Sequence, residues 1–213
     1  GKYKILSQIG EGGMGAVFKA EHPTLNRIVI IKKLTTASSQ DFIERFRREA
    51  KIMMDFRNEH IVQVYDHFKE GDSYFIVMEF VDGITLENLI QKKRYFSNQA
   101  AILIFTEICS ALKYAHDQMV IHRDIKPANI LISKEGVVKL VDFGVSTSLD
   151  NNSEEGLTKV GMTIGTPSYL APEQIANAKN RDKRTDIYSM GVMFYEMVVG
   201  KKPFQGGFTP EII

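Results

Sequence analysis

Glycines near the start of the chain could bring backbone amides against a negatively charged ligand. Gly10, Gly12 and Gly15 lie in the stretch GEGGMGAV, residues 10–17. Because glycine has no side chain, N–H groups in such a segment can approach phosphate oxygens closely. The same spacing also occurs in ordinary glycine-rich hairpins. The pattern therefore predicts either a simple turn or a strand-turn-strand flap over nucleotide phosphates.

Two other kinds of phosphate site fit these glycines poorly. A dinucleotide-binding turn needs a helix directly after the glycines, whereas AVFKAEH, residues 16–22, contains adjacent β-branched and aromatic residues and ends before Pro23. A Walker A loop needs Lys and then Ser or Thr after its last glycine, but Gly15 is followed by Ala16. Among the phosphate-binding interpretations, the flap remains.

Such a flap predicts a cation on a neighbouring strand, and Lys32 in VIIK is the candidate. Burying an isolated ammonium group is costly, so a lysine among apolar strand residues is expected to have a carboxylate partner. Glu49 is the natural partner because it lies beside the apolar stripe of the following helix. The alternative is that both residues are ordinary surface charges.

Three later motifs decide between these interpretations. HRDIKPAN occupies residues 122–129, DFG residues 142–144 and APE residues 171–173. With the glycines and VIIK, they follow the order and approximate spacing of the protein-kinase signature. The chain resembles a eukaryotic-like Ser/Thr protein kinase over essentially all its residues. GEGGMGAVFKA, FRREAKIM and GTPSYLAPEQ are most similar to bacterial members.

The resemblance implies a role for each charged residue of these motifs. Lys32 would hold the α- and β-phosphates of ATP and be oriented by Glu49. Asn129 and Asp142 would bind Mg²⁺, with Mn²⁺ as an alternative ion, because their oxygens are hard ligands for a hard cation. Asp124 would accept the proton of the attacking substrate hydroxyl group.

Further residues support these groups in the family. Lys126 would reach the γ-phosphate, and a lysine there is the Ser/Thr-kinase pattern. Thr166 would form a hydrogen bond near Asp124. His122 is expected to be structural, packing with Phe143, Met53 and Val64, and Asp186 is expected to accept hydrogen bonds from the backbone of the catalytic loop.

The resemblance also places an adenine pocket, which apolar walls and a few polar groups would suit. The residues expected around the ring are Ile9, Val17, Ile30 and Leu131, with Met78 at the back and the backbones of Glu79 and Val81 as hydrogen-bonding partners. Ile30 departs from the family, which usually has alanine there. A larger side chain would narrow the pocket, and overpacking typically costs ~1–3 kcal/mol.

Phosphorylation of the segment 142–173 is the expected form of regulation. In this family an arginine such as Arg123 commonly pairs with a phosphate on that segment and orders it. Thr158 and Thr163 are the candidate sites. We expect Thr158 to be autophosphorylated in trans, which would require self-association; the alternative is that both are simply polar loop residues.

The elements that must position these groups divide into two lobes. Strand signals fill YKILSQI, AVFKAEH, RIVIIKKL, IVQVYDHF and SYFIVMEFV, with a helix over about 41–56. Helical patterns follow at about 84–92, 98–118 and 184–199. An α+β fold is predicted, with a small antiparallel lobe (1–79), a hinge (80–83) and a larger helical lobe (84–213). The family continues through further helices, so the resemblance implies a partial domain.

The composition and charge of the chain limit the kinds of partner that we expect it to bind. The net charge of +1 gives no general attraction to nucleic acid or anionic membranes, and the basic cluster over 45–51 is interleaved with acidic residues. No apolar stretch approaches the ~18 residues of a membrane span. We expect a cytoplasmic segment without membrane contact, although a region outside it could anchor the parent protein. Cys109, the single cysteine, is expected to be a buried small hydrophobe.

The sequence therefore predicts an ATP-dependent kinase acting on Ser and Thr of protein substrates. One alternative is a catalytically impaired pseudokinase scaffold that binds nucleotide, but it normally lacks one of the signature residues, and all are present. A small-molecule kinase of related fold is a second alternative. The GTPSYLAPE segment, 165–173, argues against it because it is typical of peptide docking.

Overall fold

The computed structural model describes residues 2–12, 15–34, 40–143, 167–176 and 182–204, without the side chains of 12, 40–46, 49, 167 and 175–176. The chain forms two compact units, Gly1–Asp82 and Gly83–Ile213. The first is built on a sheet and the second mainly on helices, in agreement with the predicted α+β class.

Unit 1 contains a five-stranded antiparallel sheet with the order β1-β2-β3-β5-β4. Its elements are β1 (Lys4–Gly12), β2 (Gly15–Glu21), β3 (Ile28–Leu34), helix α1 (Gln40–Asp55), β4 (Val64–Glu70) and β5 (Ser73–Glu79). The five predicted strand segments and the predicted helix are confirmed. Short runs rich in β-branched and aromatic residues suit a pleated, half-buried surface.

Alternation along β3 separates its side chains onto two faces of this sheet. Val29 and Ile31 belong to one apolar cluster, together with Tyr3, Ala20 and Val77. Residues at even positions lie on the opposite face, because the side-chain period of a strand is two. On α1, Ala50 and Met53 are buried, as the predicted apolar stripe requires. The core of unit 1 is therefore apolar and is set by local periodicity.

The described residues of unit 2 form a small antiparallel sheet and four α-helices. The strands are β6 (Gly83–Thr85), β7 (Ile130–Ser133) and β8 (Val138–Leu140), and the helices are α2 (Leu86–Lys93), α3 (Asn98–Asp117), α4 (Pro172–Ala176) and α5 (Arg184–Val199). Helical patterns predicted α2, α3 and α5. The small sheet was not predicted, because strands this short carry too few residues for a recognisable period.

Local capping explains where the helices of unit 2 begin. The hydroxyl group of Thr85 accepts a hydrogen bond from the Asn88 amide at the start of α2 (3.1 Å). Ser97 does the same for the Ala100 amide at the start of α3 (3.3 Å). Each hydroxyl group satisfies one amide that has no partner within the helix.

The position of the cysteine on α3 differs from the sequence prediction. Cys109 is exposed, which corrects the prediction that it is buried. It follows the buried Ile108, and one step along a helix turns the side chain by about 100° away from the buried face.

Among the helices that the structure describes, none combines the length and apolar character needed to cross a bilayer.

Candidate active site

The glycine-rich segment is the closed end of the β1–β2 hairpin. Gly10 pairs with Val17 and Gly12 with Gly15, so the residues after the glycines form a strand and not a helix. Gly15 has φ 126°, and a Cβ atom there would lie 1.8 Å from the carbonyl oxygen of Lys33. Any larger residue would collide with the backbone of β3. This architecture agrees with a hairpin or flap and excludes the dinucleotide-binding turn.

Lys32 lies on β3, flanked on both sides by paired strands. Its register partners are Val17 on β2 and Ile76 on β5. It is 7% exposed, so the residue is buried even though it is charged. Glu49 lies on α1, but its side chain is outside the described part of the chain. The Lys32–Glu49 ion pair therefore stays a prediction.

The residues predicted to surround adenine fall into two groups by unit. Unit 1 carries most of them: Ile9, Val17, Ile30, Met78 and Glu79 lie on its strands, and Val81 follows the end of β5. Ile30 is the register partner of Met78. The Gln63 carbonyl accepts the Glu79 amide (2.9 Å), which holds the end of β5 in place. Leu131 lies on β7 of unit 2, as the register partner of Thr85.

Three polar residues of the HRDIKPAN motif meet at the carboxylate of Asp124. Lys126 Nζ donates to Asp124 Oδ2 at 2.8 Å. Asn129 Nδ2 donates to the same oxygen at 2.9 Å and to the Asp124 backbone carbonyl at 2.8 Å. The two donors orient the carboxylate, and the charge-assisted hydrogen bond from the lysine is the stronger kind. Asp124 is thus presented as an acceptor of fixed orientation.

His122 ties this loop to the strand end that precedes Asp142. Its Nε2 lies 2.7 Å from the Val141 carbonyl, and its Nδ1 lies 3.3 Å from the Asp124 amide. A carbonyl can only accept, so we assign the proton to Nε2 and the acceptor role to Nδ1. The ring is fully buried and packs 4.7 Å from the Phe143 ring. The predicted packing of His122 against Phe143 is confirmed, whereas its packing with Met53 and Val64 stays a prediction.

The buried carboxylate of Asp186, in the first turn of α5, holds the loop from the other side. It accepts hydrogen bonds from the amides of His122 (2.9 Å) and Arg123 (2.7 Å). This confirms the predicted backbone contacts of Asp186. His116 Nε2 on α3 lies 2.8 Å from the same carboxylate. Sequence reasoning missed His116, because nothing in the local pattern of α3 links it to a residue 70 positions away.

Backbone geometry at two of the site positions is unusual. Arg123 has φ 69° and Asp142 has φ 61°, both in the left-handed region. A residue with a side chain pays roughly 1–2 kcal/mol for this conformation and holds it only when its surroundings impose it. The Val141 amide donates to the Asn129 carbonyl at 3.0 Å, which joins the two segments that carry Asn129 and Asp142.

The side-chain oxygens of Asn129 and Asp142 are of the kind that a hard divalent cation prefers. Because Asn129 Nδ2 is directed at Asp124, the amide oxygen is the remaining acceptor of that side chain. Asp142, which would add carboxylate oxygens, follows Val141, whose amide contacts the Asn129 carbonyl. The described residues contain no group of three or more His, Cys, Asp or Glu that could hold a metal. A partial set of oxygen ligands, completed by water and phosphate, is the usual arrangement for Mg²⁺.

The GTPSYLAPE segment is anchored on α5 through Tyr169. Tyr169 donates a hydrogen bond to Glu196, and the Ser189 hydroxyl donates to the Tyr169 carbonyl at 2.7 Å. Burial, reinforced by the hydrogen bond and charge of Glu196, raises the pKa of Tyr169. The phenol therefore stays protonated and keeps donating. Thr158, Thr163 and Thr166 lie outside the described residues, so their predicted roles remain untested.

Comparison with known proteins gives one consistent family. The family described as Protein kinase domain matches residues 3–212. Serine/threonine-protein kinase PrkC of Bacillus subtilis is 40% identical over 208 residues, 97% of this chain and 32% of PrkC. Probable serine/threonine-protein kinase PknB of Lactococcus lactis is 41% identical over 208 residues, 96% of this chain and 32% of that protein.

A third relative and a solved structure agree with these matches. A probable serine/threonine-protein kinase of Clostridium perfringens is 40% identical over 96% of this chain and 30% of its own length. The crystal structure of Rad53 1-466 in complex with AMP-PNP has a TM-score of 0.80 and 29% identity, covering 99% of this chain and 51% of that one. The chain thus spans about a third of the length of these curated relatives.

Proposed function

Because this chain belongs to the protein kinase family, we propose that it transfers the γ-phosphate of Mg-ATP to Ser and Thr hydroxyl groups of proteins. The observation that carries the proposal is the Asp124 carboxylate, held by Lys126 at 2.8 Å and by Asn129 at 2.9 Å. Phosphoryl transfer asks little covalent chemistry of a protein. It requires positioned reactants and stabilisation of charge on the phosphates.

Asp124 receives the proton in this proposal. As the substrate oxygen forms its bond to the γ-phosphorus, its proton passes to the Asp124 carboxylate, and the bond from phosphorus to the β–γ bridging oxygen breaks to release ADP. Lys126 already contacts Asp124 and would stabilise the negative charge of the transferred phosphoryl group. In the family, a lysine at the position of Lys126 is typical of kinases that act on Ser and Thr, and we propose the same specificity here.

Asn129 and Asp142 are the residues that would hold Mg²⁺, with Mn²⁺ as an alternative. When bound, the ion neutralises charge on the β- and γ-phosphates. The chain itself supplies the orientation: Asn129 is fixed through its amide nitrogen, and the Val141–Asn129 backbone hydrogen bond positions the residue before Asp142. No metal-bound step is needed to explain the placement of Asp124.

Unit 1 would bind the rest of the nucleotide. Lys32 is proposed to contact the α- and β-phosphates, paired with Glu49, while the amides of Gly10, Gly12 and Gly15 cover the phosphate chain. Buried Lys32 and the close approach of Gly15 to the backbone of β3 support this assignment. Adenine would contact the apolar residues named above for unit 1, and a contact with Leu131 stays an expectation from the family resemblance. Ile30→Ala is expected to tighten nucleotide binding if Ile30 crowds the ring; equal affinities would rule out crowding.

Activation would follow phosphorylation at Thr158 or, failing that, Thr163, by a second copy of the protein. The supporting observation is Arg123: its Nε atom is buried and has no hydrogen-bond partner among the described residues. A phosphate group would supply charge-assisted acceptors for this guanidinium. Mass spectrometry of the protein after incubation with Mg-ATP tests the site. An unmodified segment in a protein that phosphorylates a generic substrate would contradict autophosphorylation.

The proposed activity is tested with the full-length protein, radiolabelled ATP and a generic protein substrate. Label should appear on Ser and Thr, and Asp124→Asn should lower kcat by ~10²–10⁴, the usual contribution of a positioned acid or base. A protein that binds nucleotide without transferring label would instead be the pseudokinase scaffold. We propose that this segment acts in the cytoplasm on protein substrates, whether or not another region anchors the parent protein.

A further inference from the structure

The peptide group that joins Arg123 to Asp124 is clamped at both of its polar ends. Its N–H, which belongs to Asp124, points to His122 Nδ1 at 3.3 Å. Its C=O, which belongs to Arg123, accepts a hydrogen bond from Gln174 Nε2 at 3.3 Å. The amide of Arg123 itself is held by Asp186 at 2.7 Å. Of these contacts, the one from Gln174 comes from α4, where Gln174 directly follows the GTPSYLAPE segment.

Gln174 is well placed to act as a rigid link. It is 6% exposed, and its side-chain oxygen accepts the Ala171 amide at 2.9 Å. This second contact is half of a capping box, in which the third residue of a helix reaches back to the residue before its start. With the oxygen fixed by Ala171, the amide nitrogen can only point one way, toward Arg123. Neither end of the Gln174 amide is left to rotate.

The left-handed conformation of Arg123 explains what the hydrogen bond from Gln174 would do. At φ 69°, a residue with a side chain relaxes to the right-handed or extended region unless its neighbours prevent it. Rotation of Arg123 would swing the Arg123–Asp124 peptide group and displace the Asp124 carboxylate from Lys126 and Asn129. The hydrogen bond from Gln174 opposes that rotation at the carbonyl, which neither Asp186 nor His122 contacts.

We propose that Gln174 is a positioning residue for Asp124, acting through the carbonyl of Arg123. It connects α4 to the loop that carries the proposed catalytic base. The inference rests on the proposed phosphoryl transfer at Asp124. It predicts that the donor of Gln174 affects the chemical step, since it orients the base, and leaves binding of ATP and peptide nearly unchanged.

Two substitutions separate this role from simple helix capping. Gln174→Glu keeps an acceptor for the Ala171 amide but lacks the donor for Arg123, and glutamate also serves in capping boxes. Gln174→Met keeps the length and loses both groups. Gln91→Glu is the matched control, because Gln91 is exposed on α2. Assays are run on the full-length protein at a pH of about 8.5, since a protonated carboxyl group would again carry a donor.

Both Gln174 variants should lower kcat by roughly tenfold, the rate equivalent of leaving a buried acceptor unsatisfied, with KM values for ATP and peptide within about twofold of the parent. Gln91→Glu should match the parent. A Gln174→Glu variant with parental kcat, beside an impaired Gln174→Met, would mean that Gln174 only caps α4 and would overturn the inference. Equal loss in kcat and rise in KM would also overturn it.

Hydrogen exchange gives a readout that does not depend on activity. Amides of residues 122–124 should exchange faster in Gln174→Glu than in the parent, while those of β2 and β3 in unit 1 stay the same. Unchanged exchange at 122–124 sinks the inference even if activity falls. If the full-length protein without substitutions fails to transfer phosphate, the proposed function is wrong. The exchange measurement alone then decides whether Gln174 holds this loop.

Discussion

The two units position their proposed site residues by different physical means. In unit 1, Lys32 lies on a strand between Val17 and Ile76, and its place follows from the register of the sheet. In unit 2, Asp124 lies on an irregular loop whose backbone is held by His122, Asp186 and Gln174. A sheet positions a side chain through many equivalent hydrogen bonds. The loop depends on a few buried polar groups, each of which matters individually.

This difference predicts where a substitution should destabilise the fold and where it should lower only the activity. A buried carboxylate that satisfies several backbone amides cannot be removed without leaving those amides unsatisfied. A lysine side chain that projects from a well-paired strand can be replaced while the strand stays in register. We therefore expect fold and activity to be coupled in the loop of unit 2 and separable on β3 of unit 1.

The largest effect should come from Asp186→Ala. Removing this carboxylate leaves the amides of His122 and Arg123 and the ring of His116 without their buried partner. The free energy of unfolding should fall by about 3–5 kcal/mol, as for other buried charged partners. Urea unfolding measures the loss. Asp182→Ala is the control: its exposed carboxylate accepts hydrogen bonds from the first backbone amide of α5, at 2.8 Å, and from an exposed arginine, so its loss should cost only ~1 kcal/mol. Similar midpoints for both variants would break the comparison.

Lys32→Met should separate activity from stability in unit 1. Methionine has a similar length and suits the apolar neighbours of β3, so the urea midpoint should hardly move. The value of kcat/KM should fall by about 10²–10³, the usual result of removing one group that stabilises transition-state charge. Lys33→Met, whose side chain lies on the other face of the strand, serves as the control. Equal losses from both substitutions would mean that register does not select the functional lysine.

Gly15→Ala tests a position in unit 1 where the backbone geometry is as demanding as in the loop of unit 2. The residue has φ 126°, and the new Cβ atom would lie 1.8 Å from the Lys33 carbonyl oxygen, so the hairpin end must shift to accept the methyl group. The expected cost is roughly 1–3 kcal/mol in the free energy of unfolding. Gly10→Ala is the control, because its Cβ would meet only Val17 at 3.9 Å. A Gly15 variant as stable as the Gly10 variant contradicts the prediction.

The smallest effect is expected at a local device in unit 2. Ser97→Ala removes the hydroxyl group that caps α3 and should lower the free energy of unfolding by ~1 kcal/mol. Ser110→Ala, at an exposed position within α3, should be neutral or slightly stabilising, because alanine is the better helix former. Thermal unfolding of both variants checks this. A larger loss at Ser110 than at Ser97 would show that capping does not set the start of α3.

Much of the fold was predictable from local pattern. The strands of unit 1 and the helices α3 and α5 carry enough residues for their periods to be recognised. The small sheet of unit 2 does not, and Cys109 was misplaced because one step along a helix separates a buried from an exposed position. Within the site, Asp186 and His122 were predicted through the family resemblance. The contacts of His116 and Gln174 with the loop were not.

The amino-acid sequence by itself determined the family, the element types and the identity of the charged groups, because motifs and periodicity are local properties of the chain. Only the tertiary structure decided that Asp186 binds the amide of Arg123 and Gln174 its carbonyl, and that Arg123 is left-handed. Those partners lie 63 and 51 residues from Arg123 along the chain. A hydrogen bond between distant segments depends on where folding brings them, and no local pattern encodes that distance.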